Sequence, residues 1–469
     1  MKTTIIYAFI AVIIIFTQTG TNAQVCFSPK TSFTSGIDPS SCCSADFNGD
    51  GIPDLAIADL SSGSSNISLL LGNGSGGFGA ATTFPVGPLP RSVCTADFNG
   101  DGKADLATTN IGPGNVSILL GDGAGGFTTV PGFITAIYNN NTSIISADLT
   151  GDGKADLVVT SGFNYVLVAL GNGDGSFVAP VKITVDNNTH SVVSADFNGD
   201  GKADLAVTTY NGSYNVSVLS GNGKGGFGAA ANYPVGNSPV SLITADFNGD
   251  GYADLATANM VDNVTGNVSI LLGNGTGGFA PVTNFGVGVS TVPKSACSAD
   301  FDGDGKIDLA TACITNNNTC NVSVLTGDGT GSFGSPVSFP VDSFPVSVIS
   351  ADFNQDGKMD LASATSKSNI DTGRVSVLLN CNLTGINGIT INNKQALLYP
   401  NPGNGIFSVK AETEISKIEI INTLGEIIYS AQINSGKREI DLSKQAKGIY
   451  FYQLQSDSKI SCTGKIIIE

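Results

Sequence analysis

The chain has 469 residues, 60 of them glycine and none tryptophan, with 22 Lys and Arg against 39 Asp and Glu. Its net charge of −17 argues against nucleic acid as a partner, because phosphates would meet a surface of their own sign. The length allows roughly two to four domains.

Residues 1–23 read as a secretory signal peptide: Lys2, an apolar run from Ile5 to Phe16, then Thr21-Asn22-Ala23 before Gln24. The run is too short to span a bilayer, and no later stretch is long and apolar enough. No transmembrane segment is therefore expected in the mature chain.

From 24 to 381 a nine-residue phrase, Asp-x-Asn-Gly-Asp-Gly-x-x-Asp, recurs seven times, starting at Asp46, Asp97, Asp148, Asp196, Asp246, Asp300 and Asp352. A fixed period near fifty marks a repeat architecture. Ca²⁺ takes six to eight oxygens, and a short loop supplies them from alternate positions. Positions 1, 3, 5 and 9 carry them here. The expected ligands are Asp46, Asn48, Asp50 and Asp54; Asp97, Asn99, Asp101 and Asp105; Asp148, Thr150, Asp152 and Asp156; Asp196, Asn198, Asp200 and Asp204. The series continues with Asp246, Asn248, Asp250 and Asp254; Asp300, Asp302, Asp304 and Asp308; Asp352, Asn354, Asp356 and Asp360. Position 7 offers a backbone carbonyl, and the glycine at position 6 permits a sharp turn. The glutamate that an EF-hand needs at position 12 is missing. Plain hairpin turns would not demand an acid at positions 1, 5 and 9 in every copy. About seven Ca²⁺ per chain are expected, the third site weakest (Thr150) and the sixth strongest (Asp302). Residues 24–381 hold 31 aspartates, no glutamate and 12 Lys or Arg, and 22 of those aspartates lie in the loops. Most of the acidity is thus ligand charge.

Around each loop stand four short β-patterned runs; SVVSADF, DLAVTTY, NVSVLSG and ANYPVG are those of the copy beginning at Ser191. Four strands per fifty residues describe the blade of a propeller, and seven blades fill 24–381. The seventh repeat stops after its third strand. The missing fourth is expected from Cys26–Phe33, which matches Gly278–Phe285 at four positions. A Cys26–Cys381 disulfide would then replace the missing turn. Cys313 and Cys320 flank a loop of the sixth repeat and suggest a cross-strand bridge. Cys43, Cys94 and Cys297 share one position and are expected as buried thiols. Nine cysteines cannot all pair within one chain, and the pairing of these three, Cys42 and Cys462 is left open.

With turns such as Phe333-Gly334-Ser335-Pro336 and Phe279-Ala280-Pro281, the region resembles FG-GAP/VCBS repeats, which are similar to the blades of integrin α-subunit propellers. The resemblance implies Ca²⁺ in the loops as a stiffening element. It also implies ligand recognition by other loops, often with a partner subunit.

Residues 382–396 read as a linker. The tail from 397 is richer in Ile, Lys and Glu, and its alternation predicts about seven strands in a small Ig-like β-sandwich. Its YPNP opening, the Asn422–Gly425 turn, Gly448-Ile449-Tyr450 and Lys465-Ile466-Ile467-Ile468 resemble the type A C-terminal sorting domain of the type IX secretion system. That implies engagement of the secretion machinery by 397–469, passage across the outer membrane, removal of the tail, and often attachment to the surface.

The fold class expected is all-β, a seven-bladed propeller followed by a small sandwich. No catalytic set emerges: the one histidine, His190, supports no Ser–His–Asp arrangement. The function expected is a non-catalytic, secreted or cell-surface module for adhesion to an unidentified protein or glycan. The alternative is a carbohydrate-active enzyme or lectin on the same scaffold, using an aspartate outside the loops such as Asp59, Asp262 or Asp371. Sparse aromatics argue against it, since sugars stack on rings.

Overall fold

The computed structural model describes residues 25–381 apart from 61–64, 113, 134–142, 187, 211–213, 263–264, 316–319 and 367–371. It also describes 396–468 apart from 400–404, 412–416, 423–426, 433–437 and 457–458. The expected signal peptide, nearly all of the expected linker and Asp371 lie outside the described residues. The chain divides into two compact units, Met1–Cys381 and Asn382–Glu469.

Among the described residues the first unit contains seven four-stranded antiparallel sheets. Sheet one runs Pro39–Ala45, Asp54–Asp59, Asn66–Leu70 and Thr82–Pro85 in that order, and the next five repeat this meander. Burial follows the order. Second strands such as Asp54–Asp59 and Asp204–Thr209 are buried at every residue, whereas fourth strands such as Thr82–Pro85 and Ala231–Pro234 are mostly exposed. A strand covered on both faces needs apolar or small residues at every position, which explains runs such as DLAVTT. Each first strand touches the first strand of the next sheet, and Pro345–Ala351 of sheet seven touches Pro39–Ala45 of sheet one. The sheets therefore close into a ring, the propeller expected from the repeat.

Sheet seven completes itself from the other end of the chain. Its outer strand is Thr31–Ile37, paired antiparallel to Thr372–Leu378 with Thr31 opposite Val377. A Cys26–Cys381 disulfide with Cα atoms 5.3 Å apart lies beside that pairing. Borrowing this strand covers an edge that would otherwise be open to pairing with another chain.

The sheets are also tied at their inner ends. Ser41, Ser92, Ser143, Ser191, Ser241, Ser295 and Ser347 occupy one position, five residues before each loop. In five of them the hydroxyl oxygen accepts a backbone N–H from the next sheet at 3.2–3.4 Å, as Ser191 does from Leu242. Ser347 accepts the Cys42 thiol instead. Just before this ring the chain turns through a left-handed corner. Asp38, Leu89, Asn188, Ser238 and Phe344, with φ between 51° and 59°, each accept an N–H from the end of the second strand. Non-glycine residues seldom adopt this conformation.

The bridge expected between Cys313 and Cys320 is not formed. Cys313 pairs with Asn321 across the ladder, and Cys320 pairs with Ile314, so the two thiols point to opposite faces. Cys313 packs with Phe247 and Leu325, and Cys320 packs with Val322 and Val348 on the other side. Cys43, Cys94 and Cys297 are half-buried thiols. Burial pushes Cys94 up to about 12 and raises the other two.

The second unit has seven strands among its described residues, in a three-stranded sheet built on Ile406–Ala411 and a four-stranded sheet built on Lys417–Ile421. Phe407, Val409 and Ile440 from the first meet Ile418, Ile420, Tyr450 and Ile466 from the second in one core. It is a small two-sheet sandwich.

Candidate metal centres

Each Asp-rich loop leaves the end of a first strand and returns as a second strand. In the second copy Asp97 accepts the N–H of Gly100 at 2.7 Å and Asp101 at 3.2 Å through Oδ1, and that of Gly102 at 2.7 Å through Oδ2. Asn99 Oδ1 accepts Asp101 N–H at 3.0 Å, and Asp101 Oδ1 accepts Lys103 N–H at 3.0 Å. The chain is thereby wound around the side-chain oxygens of positions 1, 3 and 5. This winding needs φ of 76° at Gly100 and 80° at Gly102. The same pattern recurs in the other loops, with two local departures. Thr150 supplies no carbonyl oxygen for Asp152 N–H, which donates to Asp148 Oδ1 at 3.2 Å. In the seventh loop Gln355 stands at position 4 with φ 58°, and its Nε2 donates to the Gly51 carbonyl of the first loop at 3.1 Å.

Position 9 lies beneath the loop and does a second task. Asp105 is fully buried; its Oδ2 accepts the N–H of Phe98 at 2.8 Å and its Oδ1 that of Gly121 at 2.7 Å. The aspartate thus staples its loop to the glycine at the end of the third strand. That glycine cannot carry a side chain, since a Cβ on Gly121 would lie 2.3 Å from the Ala104 carbonyl oxygen. Burial pushes Asp308 up to about 7 and Asp254 and Asp360 to about 6, against the pull of these N–H donors.

Three carboxylates converge in the sixth loop, where ligand atoms of Asp300, Asp302 and Asp304 all lie within 4.8 Å of one another. Burial, followed by the charges of Asp304 and Asp300, raises Asp302. A crowd of like charges on a preformed oxygen ring suits a hard divalent cation, so the residues present fit Ca²⁺. Some of the charge is met locally, since Lys202 and Lys306 at position 7 pair with Asp200 and Asp304 at 2.8 and 2.9 Å.

The loops also join neighbouring sheets. Phe47 at position 2 is buried, packs edge-on against Phe127 of sheet two, and accepts the Gly125 N–H at 3.0 Å through its carbonyl. Phe98–Phe177, Phe197–Phe279 and Phe247–Phe333 repeat the contact around the ring, and Phe353–Phe78 carries it from sheet seven to sheet one. Sheet seven has no hairpin of its own. Phe27, from the start of the described chain, packs on Phe301 in its place. Asn380 stands where the stapling glycine belongs: its N–H donates to Asp360, and its side-chain Nδ2 reaches the Phe301 carbonyl at 2.8 Å. Neither Gln355 nor Asn380 nor the serine ring was read from the sequence. The available signal was a comparison of the seven repeats position by position.

Of the acids proposed for an alternative chemistry, Asp59 is buried and accepts a hydrogen bond from Ser68 Oγ at 2.6 Å. Asn110 and Asn259 fill the corresponding place in other sheets, bonded to Ser117 and Ser269. Asp59 therefore belongs to a repeated structural pair.

A family model for the FG-GAP-like repeat matches residues 46–108, 106–159, 148–207, 196–257, 258–311 and 300–363. A model for the secretion system C-terminal sorting domain matches residues 397–469. No curated protein matches the chain.

Proposed function

From a chain that belongs to the FG-GAP-like repeat family and ends in a secretion-system sorting domain, we propose a calcium-stiffened, non-catalytic propeller that binds a protein or glycan at the cell surface. The sorting domain makes it a secreted repeat protein, and the type IX machinery is the partner of residues 397–469. The signal peptide at 1–23 would first take it across the inner membrane.

The observation that carries the metal assignment is the loop itself, with side-chain oxygens of positions 1, 3 and 5 inside a wound backbone. Those residues, with the position-9 aspartates beneath them, would hold about seven Ca²⁺. Bound calcium supplies charge neutralisation that fixes the loop. Each fixed loop holds the Phe carbonyl and ring that grip the next sheet, so calcium stiffens the joints between sheets. An adhesive platform needs such stiffness, because a surface that is already ordered loses less entropy on binding.

The test is array binding of the mature chain to surface glycans and proteins, with calcium and after chelation, alongside viscometry of polysaccharide substrates. Calcium-dependent retention without loss of viscosity supports a binding module. A calcium-dependent fall in viscosity contradicts it and favours a polysaccharide-acting enzyme.

A further inference from the structure

A cavity of about 480 Å³ opens on the axis of the ring, lined by all seven serines of the inner ring. Because the first strands enter at these serines and leave into the Asp-rich loops, it lies at the end of the axis away from those loops. Its walls differ in charge from the rest of the unit: they carry Arg91, Lys294 and His190, with Asp38 as the acid. Burial lowers the pKa of Arg91, partly opposed by the charge of Asp38, which also accepts Ser366 Oγ. Lys294 donates to the thioether of Met260 at 3.2 Å, a weak acceptor for an ammonium group. Burial lowers its pKa, and Arg91 adds to that. Two cations that repel each other across a polar cavity suit an oxyanion that bridges them.

The other groups select what the oxyanion is attached to. His190 stacks on Tyr210 at 5.9 Å, and its ring bonds the Val240 carbonyl. Its Nδ1 is buried without a hydrogen-bond partner. Burial, then Arg91 and Lys294, pull the imidazole down to about 4, so at neutral pH this nitrogen is an acceptor suited to a hydroxyl. The serines that accept N–H groups from the next sheet keep their own hydrogens to donate. Cations, a bare nitrogen acceptor and a circle of hydroxyls complement a molecule bearing both a carboxylate and several hydroxyl groups. The volume is within the usual range for a small-ligand site.

We propose that this axial cavity binds a small polyhydroxylated carboxylate, the chemistry of a uronic acid or other sugar acid, by Arg91, Lys294, His190 and the serine ring. The site is separate from the Asp-rich loops and does not depend on their metal assignment. It places ligand recognition on the face opposite the loops.

The test is calorimetric titration of the mature chain, in saturating CaCl₂ at neutral pH, with D-glucuronate, D-gluconate and D-glucose. A glucuronate-terminated oligosaccharide distinguishes the end of an acidic glycan from a free acid. Saturable one-to-one binding of at least one sugar acid is expected, with no binding of glucose. Lys294→Gln should weaken it by at least about tenfold, the effect of losing a hydrogen bond to a charged group. Arg91→Lys, which keeps the charge facing Asp38, serves if Lys294→Gln melts early. A tighter oligosaccharide assigns the glycan source, and equal or weaker binding assigns the free acid. No saturable binding of any sugar acid overturns the proposal, as does unchanged affinity in a Lys294→Gln variant that melts like the parent.

Discussion

Asn380→Ala tests how the ring is closed. Asn380 is only 7% exposed, and its Nδ2 donates to the carbonyls of Phe301 at 2.8 Å and Met359 at 3.1 Å. The backbone N–H to Asp360 survives the change, so the loss is confined to the side-chain amide. Two carbonyls would be left without that donor, at about 1–2 kcal/mol each, or about 2–4 kcal/mol in all. At roughly 2 °C per kcal/mol for a large domain, the melting temperature of calcium-loaded protein should fall by about 4–8 °C. Asn380→Asp should be worse, because it turns an acceptor towards both carbonyls and a negative charge towards Asp360. Calorimetry of the two variants beside the parent is the assay. A fall under about 1 °C for Asn380→Ala would refute the idea that this amide replaces the absent hairpin.

Replacing Cys26 and Cys381 together by serine removes a link across 355 residues and should cost about 2–5 kcal/mol, read as a lower denaturant midpoint; an unmoved midpoint would deny the bond a role in closure. Burial raises Asp59 from 3.8 to about 7, so its folded form binds the proton more tightly than the unfolded form. Its contribution is therefore fully present below about pH 4 and lost as pH rises to about 7, and Asp59→Asn should flatten that slope relative to the parent in the same buffers. A parallel pair of stability curves would show that Asp59 does not titrate in this window. Asp200→Ala should lower the calcium content by one ion per chain, measured by elemental analysis; an unchanged count would remove Asp200 from the ligands.

The repeat was legible because each sheet is written out locally: loop, strand, hairpin and strand follow one another within fifty residues. The borrowed strand could be found for the same reason, since Phe27 and Phe33 repeat the spacing of Phe279 and Phe285. Cys313 and Cys320 were misjudged because closeness in sequence does not fix the face of a strand; the register that sets Cys313 opposite Asn321 does. The axial cavity was hidden for a different reason. Its seven serines come from seven repeats, each unremarkable in its own strand, and only the closing of the ring brings them together. Arg91, His190 and Lys294 share one repeat position, directly before the ring serine, but the other repeats hold Ser40, Thr142, Val240 and Val346 there, so no local motif records them.

The central claim is that the Asp-rich loops are calcium sites that fasten each sheet to the next. The measurement that bears on it most directly is the metal content and thermal unfolding of the purified mature chain, with calcium and after chelation. Close to seven Ca²⁺ per chain, on the count of one per loop, and a large drop in melting temperature on chelation are expected. Little bound calcium and an unmoved melting curve would mean that the loops are turns held by their own hydrogen bonds, and that the sheets stay joined without metal.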